Sequence, residues 1–265
     1  MTNERGEVRA AMGDKFRQIN KFVETVAGLH ASSTLAARRS LSVVDMGAGK
    51  GYLTFAVYDY LNNALGLEAR VTGVEAREEL VALCNCVAAE AGFERLQFRR
   101  GYIGDFSTDE EGADILIALH ACDTATDEAL FKGISSGASV IICAPCCHKE
   151  VRPQIEAPEV LRAVLRHGIL LERQAEMLTD SMRALLLEYS GYTTKVFEFI
   201  STEHTAKNVM LTAVRRPSPT TNETALGQFR QLKEFYSVRT QRLERLLFDT
   251  RAALAEPSAP ACDPV

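Results

Sequence analysis

Tryptophan and long apolar segments are both missing from this 265-residue sequence. No apolar run approaches the roughly 18 residues that a membrane-spanning helix needs, so a membrane protein is not predicted. The N-terminal segment MTNERGEVRA is polar, carries charges of both signs and lacks the apolar core of a secretory signal. We therefore expect a cytoplasmic location with no membrane partner.

A disulfide framework and an excess of basic charge are also missing. The seven cysteines are odd in number and unevenly spaced, which argues for reduced thiols. The formal net charge is −5, which argues against broad, non-specific nucleic-acid binding but leaves a local basic face open. At 46% hydrophobic and 25% charged residues, the composition is ordinary for a globular enzyme and indicates no particular oligomeric state.

Short β-branched runs alternate with helical patterns from about position 41 onward, with about five strands before position 145. This βαβα order is typical of an α/β fold with a doubly wound parallel sheet. A helix-compatible stretch then ends at Gly191, and two strand-like runs follow, whose short connection requires them to be antiparallel. We predict three parts: a helical cap at 1–40, a catalytic α/β domain at 41–216, and a helical extension with a tail at 217–265.

The segment VVDMGAGKGYLTF joins a predicted buried strand to a helix with the pattern D-x-G-x-G-x-G, formed by Asp45, Gly47, Gly49 and Gly51. Glycines at such a turn permit positive φ and close approach of a ligand to the backbone. Nicotinamide dehydrogenases instead carry G-x-G-x-x-G with a pyrophosphate over the helix start. An acid two residues before the first glycine would repel a pyrophosphate but attract a ligand that carries an amino group and a sulfonium. The pattern predicts S-adenosylmethionine as cofactor.

Two further acids follow the second and third predicted strands in the order that this cofactor requires. Glu75 ends the second strand, 24 residues beyond Gly51, where its carboxylate could accept both ribose hydroxyls. Asp105 follows the third strand and could accept from the adenine amino group. The alternative is that the glycines form a plain turn and that the acids cap helices.

Three segments carry a resemblance to a known family: VVDMGAGKGYLTF, HACDTATD at 120–127 and CCH at 146–148. From about 15 to 215, the chain resembles the class I S-adenosylmethionine-dependent methyltransferases of the methyltransferase domain 32 group. The resemblance implies methyl transfer and a Rossmann-like sheet of seven strands in the order 3-2-1-4-5-7-6, with strand seven antiparallel.

The same segments are similar to the eukaryotic tRNA ribose 2′-O-methyltransferase family, which makes RNA the substrate hypothesis. The residues that match its loop after the fourth strand are His120, Cys122, Thr126 and Asp127. Asp123 stands where that family usually has glycine, and no cysteine precedes Cys84, so the family's N-terminal zinc finger has no counterpart in this sequence.

The segments HACDTATD and APCCHKE follow the fourth and fifth predicted strands. Ligands of an open parallel sheet bind at the carboxyl ends of its strands, so we expect the two segments to be neighbours beside the transferred methyl group. The candidate catalytic residues are His120, Cys122, Asp123, Cys146, Cys147 and His148. Asp123 could orient the acceptor or take its proton, or it could be the N-cap of the next helix, whereas Asp127 is expected to serve the helix start.

Cys143 and Cys146 raise the question of a metal site or a redox pair. Their Cys-x-x-Cys spacing resembles half of a zinc ribbon, but a ribbon needs a second such pair, and Cys84-x-Cys86 lies within a predicted helix. A redox pair normally opens a helix, whereas this one ends a strand. We expect Cys84, Cys86 and Cys143 to pack as small core hydrophobes.

The CCH segment is expected to shape a pocket wall without metal. Pro145 interrupts the strand, and Cys146, Cys147 and His148 follow at its carboxyl end. A cluster of these three residues with Cys122 remains geometrically conceivable, because two adjacent strand ends converge.

Basic residues are expected over the substrate face. The turn at 203–208 should lie there, which places His204 and Lys207 near the substrate, and the predicted N-terminal helix adds Lys15, Arg17 and Lys21. These residues would contact RNA phosphates. A small-molecule or protein methyltransferase, and a non-catalytic module that binds S-adenosylmethionine, are the alternatives.

Overall fold

A computed structural model describes residues 8–105, 112–119, 121–199 and 208–255. Seven strands form one sheet in the order β3-β2-β1-β4-β5-β7-β6. The strands are β1 (Ser40–Met46), β2 (Glu68–Glu75), β3 (Leu96–Arg100), β4 (Ile115–Leu119), β5 (Val140–Ala144), β6 (Tyr192–Glu198) and β7 (Val209–Arg215). β1 to β5 run parallel, and β7 is antiparallel to both β5 and β6. The predicted fold class and strand order are confirmed.

Helices cover both faces of the sheet. They are α1 (Gly13–Ala31), α2 (Tyr52–Asp59), α3 (Glu78–Glu90), α4 (Thr124–Ser135), α5 (Arg162–Leu165), α6 (Gly168–Tyr189), α7 (Glu223–Phe235) and α8 (Arg242–Ala255). A π-helical turn at Tyr60–Ala64 continues α2. Within the described ranges, no helix combines the length and apolar character that a membrane crossing demands.

The central strands are buried on both sides, as a parallel sheet requires. Side chains alternate along β1, so Val43 packs with α1 to α3 while Val44 packs with α4 and α6. From α1, Phe22 and Val26 enter the first of these cores, whereas Phe16 on the same helix is 37% exposed. The two cores hold the carboxyl ends of β1, β2, β4 and β5 at one edge of the sheet.

The C-terminal extension is part of the packed structure. The helices in the predicted extension are α7 and α8, and their Phe229 and Leu243 are fully buried in the core that contains α4 and α6. The boundaries of the three predicted parts stay predictions, as does the description of the tail, whose last ten residues lie outside the described ranges.

The three cysteines that were predicted to pack in the core, Cys84, Cys86 and Cys143, differ in burial. Cys143 and Cys84 are buried, which confirms their predicted packing in the core. The same prediction is wrong for Cys86, which is exposed and lies 3.5 Å from the Glu90 carboxylate. The two cysteines are two residues apart on α3, and positions with that spacing face different sides of a helix.

Candidate cofactor and acceptor site

The glycine loop after β1 is tied to the end of β2. The backbone N–H groups of Gly47 and Ala48 donate to the carbonyl of Val74 at 2.8 and 2.9 Å. Gly47 and Gly49 have φ of 82° and 58°, values that favour glycine. A side-chain carbon at Gly47 would meet nothing within 4 Å. The space above Gly47 is therefore open to a ligand.

Gly51 has a different reason to be glycine. It is the N-cap of α2 with φ 71°, and a side-chain carbon there would lie 3.0–3.1 Å from the rings of Phe98 and Phe55. Its small size thus lets α2 pack closely on the sheet. Direct contact of Gly51 with the cofactor stays a prediction.

Asp45 is a buried acid at the end of β1. It is 5% exposed, and its Oδ2 accepts a hydrogen bond from the Thr54 hydroxyl at 2.6 Å. Burial raises the pKa of Asp45 from its usual 3.8 to about 6, although the Thr54 hydrogen bond opposes this change. A cation brought near this carboxyl would favour its ionised form.

Glu75 ends β2 and is already hydrogen-bonded at both carboxylate oxygens. Gly49 N–H donates to Oε2 at 2.8 Å, and Arg77 donates to Oε1 from its backbone N–H at 3.0 Å and from Nε at 2.8 Å. The side-chain hydrogen bond from Arg77 is the main reason that the pKa of Glu75 is lowered. Arg77 was not predicted from the sequence. The signal that could have identified it is its position two residues after Glu75, the acid that ends β2.

Together these groups fit S-adenosylmethionine. One buried carboxylate lies before the open glycine loop, and an ionised carboxylate lies after the neighbouring strand. Asp45 suits the cationic part of the cofactor, and Glu75 suits the ribose hydroxyls. Both assignments stay predictions.

Asp105 lies in a different environment. It is exposed and lines a cavity of about 290 Å³ beside α4 and α8. Its charged neighbours in this cavity are Glu128, Lys132 and Arg242. Its contact with adenine stays a prediction.

A larger cavity of about 710 Å³ lies at the opposite edge of the sheet. Arg38, Ser42, Arg70 and Asp114 are among its lining residues, at the amino ends of β1, β2 and β4. Ligands of parallel sheets bind at the carboxyl ends of the strands. This cavity is therefore not assigned as the cofactor site, although it is the larger of the two.

The segments after β4 and β5 are neighbours, as predicted. The sulfur atoms of Cys122 and Cys146 are 3.5 Å apart, and those of Cys146 and Cys147 are 3.8 Å apart. Burial, followed by the adjacent thiols of Cys122 and Cys147, raises the pKa of Cys146 to about 12. His120 lies outside the described residues.

Asp123 combines an unusual backbone with a bridging side chain. Its φ and ψ are 54° and −121°, a conformation typical of glycine. Its side chain makes no capping bond to α4 and instead accepts from the backbone N–H of Glu150 at 3.1 Å. Asp123 is thus the N-cap residue of α4 by position, as one interpretation had it, but its side chain does not cap the helix. A role toward the acceptor stays a prediction.

A buried ion pair between Arg183 and Asp127 stabilises the segment after β4. Arg183 of α6 donates to both carboxylate oxygens of Asp127, at 3.0 Å from Nε and 2.7 Å from Nη2. The same Nη2 donates to the carbonyl of Asp123 at 2.9 Å, and Gln241 donates to Asp127 at 2.6 Å. Asp127 lies in the first turn of α4, where it was predicted to serve the helix start, and its carboxylate joins this turn to α6 and to the C-terminal extension.

His148 is part of the same buried region. It is 4% exposed, and its Nε2 lies 3.2 Å from Oδ1 of Asp180, which also accepts from Arg183 at 3.1 Å. Its Nδ1 is buried without a hydrogen-bond partner in the part of the chain that the structure describes. The catalytic role of His148 stays a prediction.

The predicted substrate residues are only partly described. On α1, Arg17 is ion-paired with Asp14, and Lys21 is paired with Glu24 at 3.0 Å. Lys15 is half-buried, and His204 and Lys207 lie outside the described residues. The basic charge of α1 is thus partly balanced by acids on the same helix.

Residues 14–154, more than half of the chain, match the family described as "Methyltransferase domain". No curated protein sequence matches the chain.

Solved structures with a similar fold include YcgJ from Bacillus subtilis, with 13% identity, 88% of each chain covered and a TM-score of 0.41. Precorrin-6y C5,15-methyltransferase from Geobacter metallireducens has 11% identity, with 82% of this chain and 94% of that chain covered and a TM-score of 0.43. Aeropyrum pernix fibrillarin with bound S-adenosylmethionine has 15% identity, with 74% and 76% covered and a TM-score of 0.45. At these identities the likeness concerns the fold alone.

Proposed function

This chain belongs to the methyltransferase domain family, and from that premise we propose that it methylates RNA. Its cofactor is S-adenosylmethionine, which supplies an electrophilic methyl group on a cationic sulfur. One observation carries the methyl-transfer part of the proposal: the segments after β4 and β5 meet at Cys122 and Cys146, and β4 lies beside β1, which carries the open glycine loop.

Asp45 and Glu75 would hold the cofactor. Because Asp45 is buried, its carboxylate attracts a nearby cation with little screening by water. Glu75 offers an ionised carboxylate beside Gly49, where ribose hydroxyls could replace the exposed side-chain contacts of Arg77. The empty space above Gly47 lets a ligand approach the backbone.

Asp123 would orient the acceptor. Its Oδ1 is held by Glu150 N–H and its carbonyl by Arg183, so the carboxylate is fixed between the two acceptor segments. From there it could accept a hydrogen bond from a hydroxyl or amino group and take its proton. Alignment alone can contribute about 7–11 kcal/mol, so methyl transfer does not need a strong base.

RNA as the acceptor is supported by the loop HACDTATD, whose Cys122, Thr126 and Asp127 match the tRNA ribose 2′-O-methyltransferase pattern. Arg17 and Lys21 are exposed on α1, and each is paired with an acid on the same helix. Such exposed pairs are weak, so phosphate groups could replace the acids as partners.

Mass spectrometry of nucleosides from total RNA tests the proposal in cells with and without the gene. We expect one methylated nucleoside to disappear with the gene and to return when the purified protein and labelled S-adenosylmethionine are added to RNA from the deletion cells. The Asp123→Ala variant should bind the cofactor but fail to restore the nucleoside.

Other outcomes would assign the acceptor differently. Label in protein or in small molecules, with unchanged RNA, would overturn RNA as the substrate. Cofactor binding by calorimetry without transfer to any fraction would indicate a non-catalytic binding module.

A further inference from the structure

Three cysteine sulfurs meet at the acceptor edge of the sheet. β4 and β5 are paired in register to their last residues, Leu119 and Ala144. This register brings Cys122, three residues beyond β4, beside Cys146, two residues beyond β5. The sulfurs of Cys122, Cys146 and Cys147 all lie within 4.8 Å of one another.

The distances between these sulfurs suit a shared metal ion. Zinc binds thiolates at about 2.3 Å in tetrahedral sites, which places two sulfurs on the same ion about 3.8 Å apart. The observed separations are 3.5 Å for Cys122 with Cys146 and 3.8 Å for Cys146 with Cys147. A disulfide would require about 2.0 Å between the two sulfurs, which is shorter than both of these separations.

We propose that Cys122, Cys146 and Cys147 bind one thiophilic divalent metal ion, zinc, and leave its fourth coordination position open. Thiolate ligands select zinc over the hard cations calcium and magnesium. Structural zinc sites use four protein ligands, whereas sites with three protein ligands keep a position for water or substrate. Among the described residues, no fourth histidine, cysteine or carboxylate lies within the same mutual distance.

The surroundings of the cluster separate it from ordinary packed cysteines. Cys143 and Cys84 are each buried singly in the core, whereas Cys122 is exposed and its two partners are half-buried at the sheet edge. Without a cation these cysteines stay protonated, because three thiolates this close would repel one another. A zinc ion with three thiolates carries a net charge of −1, which would favour a cationic ligand nearby.

The spacing of the cysteines in the sequence did not predict a metal site, because the sequence has no second Cys-x-x-Cys pair. The three proposed ligands come from two segments 24 positions apart that meet only through the pairing of β4 with β5. The proposal does not depend on RNA as acceptor, because it concerns ligand geometry.

Elemental analysis of the full-length protein, purified without chelator or affinity metal, is the first test. We expect about one zinc per chain, at least a tenfold loss of zinc in Cys146→Ser, and no loss in Cys86→Ser, which changes an exposed cysteine on α3. Cys122→Ser serves as a second ligand variant because its site is exposed, and circular dichroism checks that each variant folds. Zinc-free protein, or full zinc in both ligand variants, would overturn the proposal.

Cobalt substitution tests the ligand type and the open position. Co²⁺ added to zinc-depleted protein should give thiolate-to-cobalt charge-transfer bands and intense visible bands typical of a tetrahedral site, both absent in Cys146→Ser. Adding 2-mercaptoethanol should shift these bands if the fourth position is open. An absence of charge-transfer bands would overturn thiolate ligation. A spectrum that 2-mercaptoethanol does not change would overturn the open coordination position. A disulfide between Cys122 and Cys146 in freshly purified protein would overturn the metal site itself. Cofactor binding measured on the same samples keeps these outcomes separate from a failure of the proposed methyl transfer.

Discussion

The carboxylate of Asp123 accepts a hydrogen bond from the backbone N–H of Glu150 at 3.1 Å, so one side chain joins the segments after β4 and β5. The carbonyl of Asp123 accepts from Arg183 at 2.9 Å and from Thr126 N–H at 3.1 Å. These bonds hold a φ of 54°, which costs a non-glycine residue about 1–3 kcal/mol. The surrounding structure therefore holds this carboxylate in place against local strain.

Substitutions at Asp123 should separate the free-energy cost of the strained backbone from the contribution of the hydrogen bond with Glu150. Asp123→Ala keeps the strain and loses the bond to Glu150, which costs about 1 kcal/mol. Asp123→Gly loses the same bond but relieves the strain, against a loss of about 0.5–1 kcal/mol from the flexibility of glycine. We expect the glycine variant to be more stable than the alanine variant by up to about 2.5 kcal/mol in urea unfolding.

Asp123→Asn is the matched control, because its amide oxygen can still accept from Glu150 N–H while the negative charge is removed. It should unfold close to the parent protein and yet lose methyl transfer if the carboxylate takes a proton. A glycine variant that is less stable than the alanine variant by about 0.5–1 kcal/mol would show that the backbone of Asp123 is not strained.

The parts of the fold that depend on local pattern were predictable. The β-branched runs of β1 and β5 and the apolar spacing of α1 identify their elements, because burial repeats every two residues in a strand and about every 3.6 in a helix. The order of β7 and β6 came from the resemblance. The φ of Asp123 could not be predicted, because aspartate rarely adopts it and the bonds that enforce it come from Glu150 and Arg183.

Asp45 should make cofactor binding depend on pH. Burial raises its pKa from 3.8 to about 6, so the unliganded carboxyl is mostly protonated below about pH 6. Only the ionised form attracts a cation. We expect the affinity for S-adenosylmethionine to rise by about tenfold between about pH 5 and pH 7 and then to level off, as measured by calorimetry.

Asp45→Asn provides the control for this effect. The variant should bind weakly with little pH dependence over the same range. Because the pKa of Asp45 is raised in the folded state, its contribution to stability is complete below about pH 4 and is lost as pH rises through about 6, a loss of up to about 3 kcal/mol. The unliganded variant should therefore exceed the parent in stability at neutral pH but not at pH 4. A parent affinity that is constant with pH would contradict this role.

Glu75 and Arg77 should affect cofactor binding in opposite directions. Glu75→Gln removes a charged acceptor of hydrogen bonds, and affinity should fall by about tenfold or more. Arg77→Gln removes the side-chain contacts that occupy Glu75 at 2.8 and 3.4 Å, so affinity should be unchanged or severalfold higher. Calorimetry decides both, and a large loss in Arg77→Gln would instead show that this arginine binds the cofactor.

The contacts that stabilise the site could not be predicted from the sequence. Asp127 and Arg183 are 56 positions apart, and Gln241 and Asp127 are 114 apart. No local period links such residues, because tertiary packing alone brings α4, α6 and the chain before α8 together. The same reason explains why the pairing of Cys122 with Cys146 was conceivable from the order of strands but not predicted.

Arg183 should be essential for stability. It is fully buried with Asp127, and removing one partner of a buried ion pair leaves an unpaired charge that costs about 3–5 kcal/mol. We expect this loss in urea unfolding of Arg183→Met. Arg173→Met, on the same helix but half-exposed, should change stability by about 0.5 kcal/mol or less. Adding Asp127→Asn to Arg183→Met should recover part of the loss, and no recovery would show that packing rather than charge is responsible.

RNA binding, if α1 takes part, should depend on salt and on the acids beside its basic residues. Each phosphate contact with single-stranded RNA contributes about −0.7 to the slope of log K against log salt. Changing both Arg17 and Lys21 to alanine should therefore reduce the slope by about 1.4. Asp14→Asn with Glu24→Gln removes the partners of these residues, so it should tighten binding at low salt. Fluorescence anisotropy with a labelled RNA measures both, and equal slopes for the parent and the alanine variant would remove α1 from the RNA-binding surface.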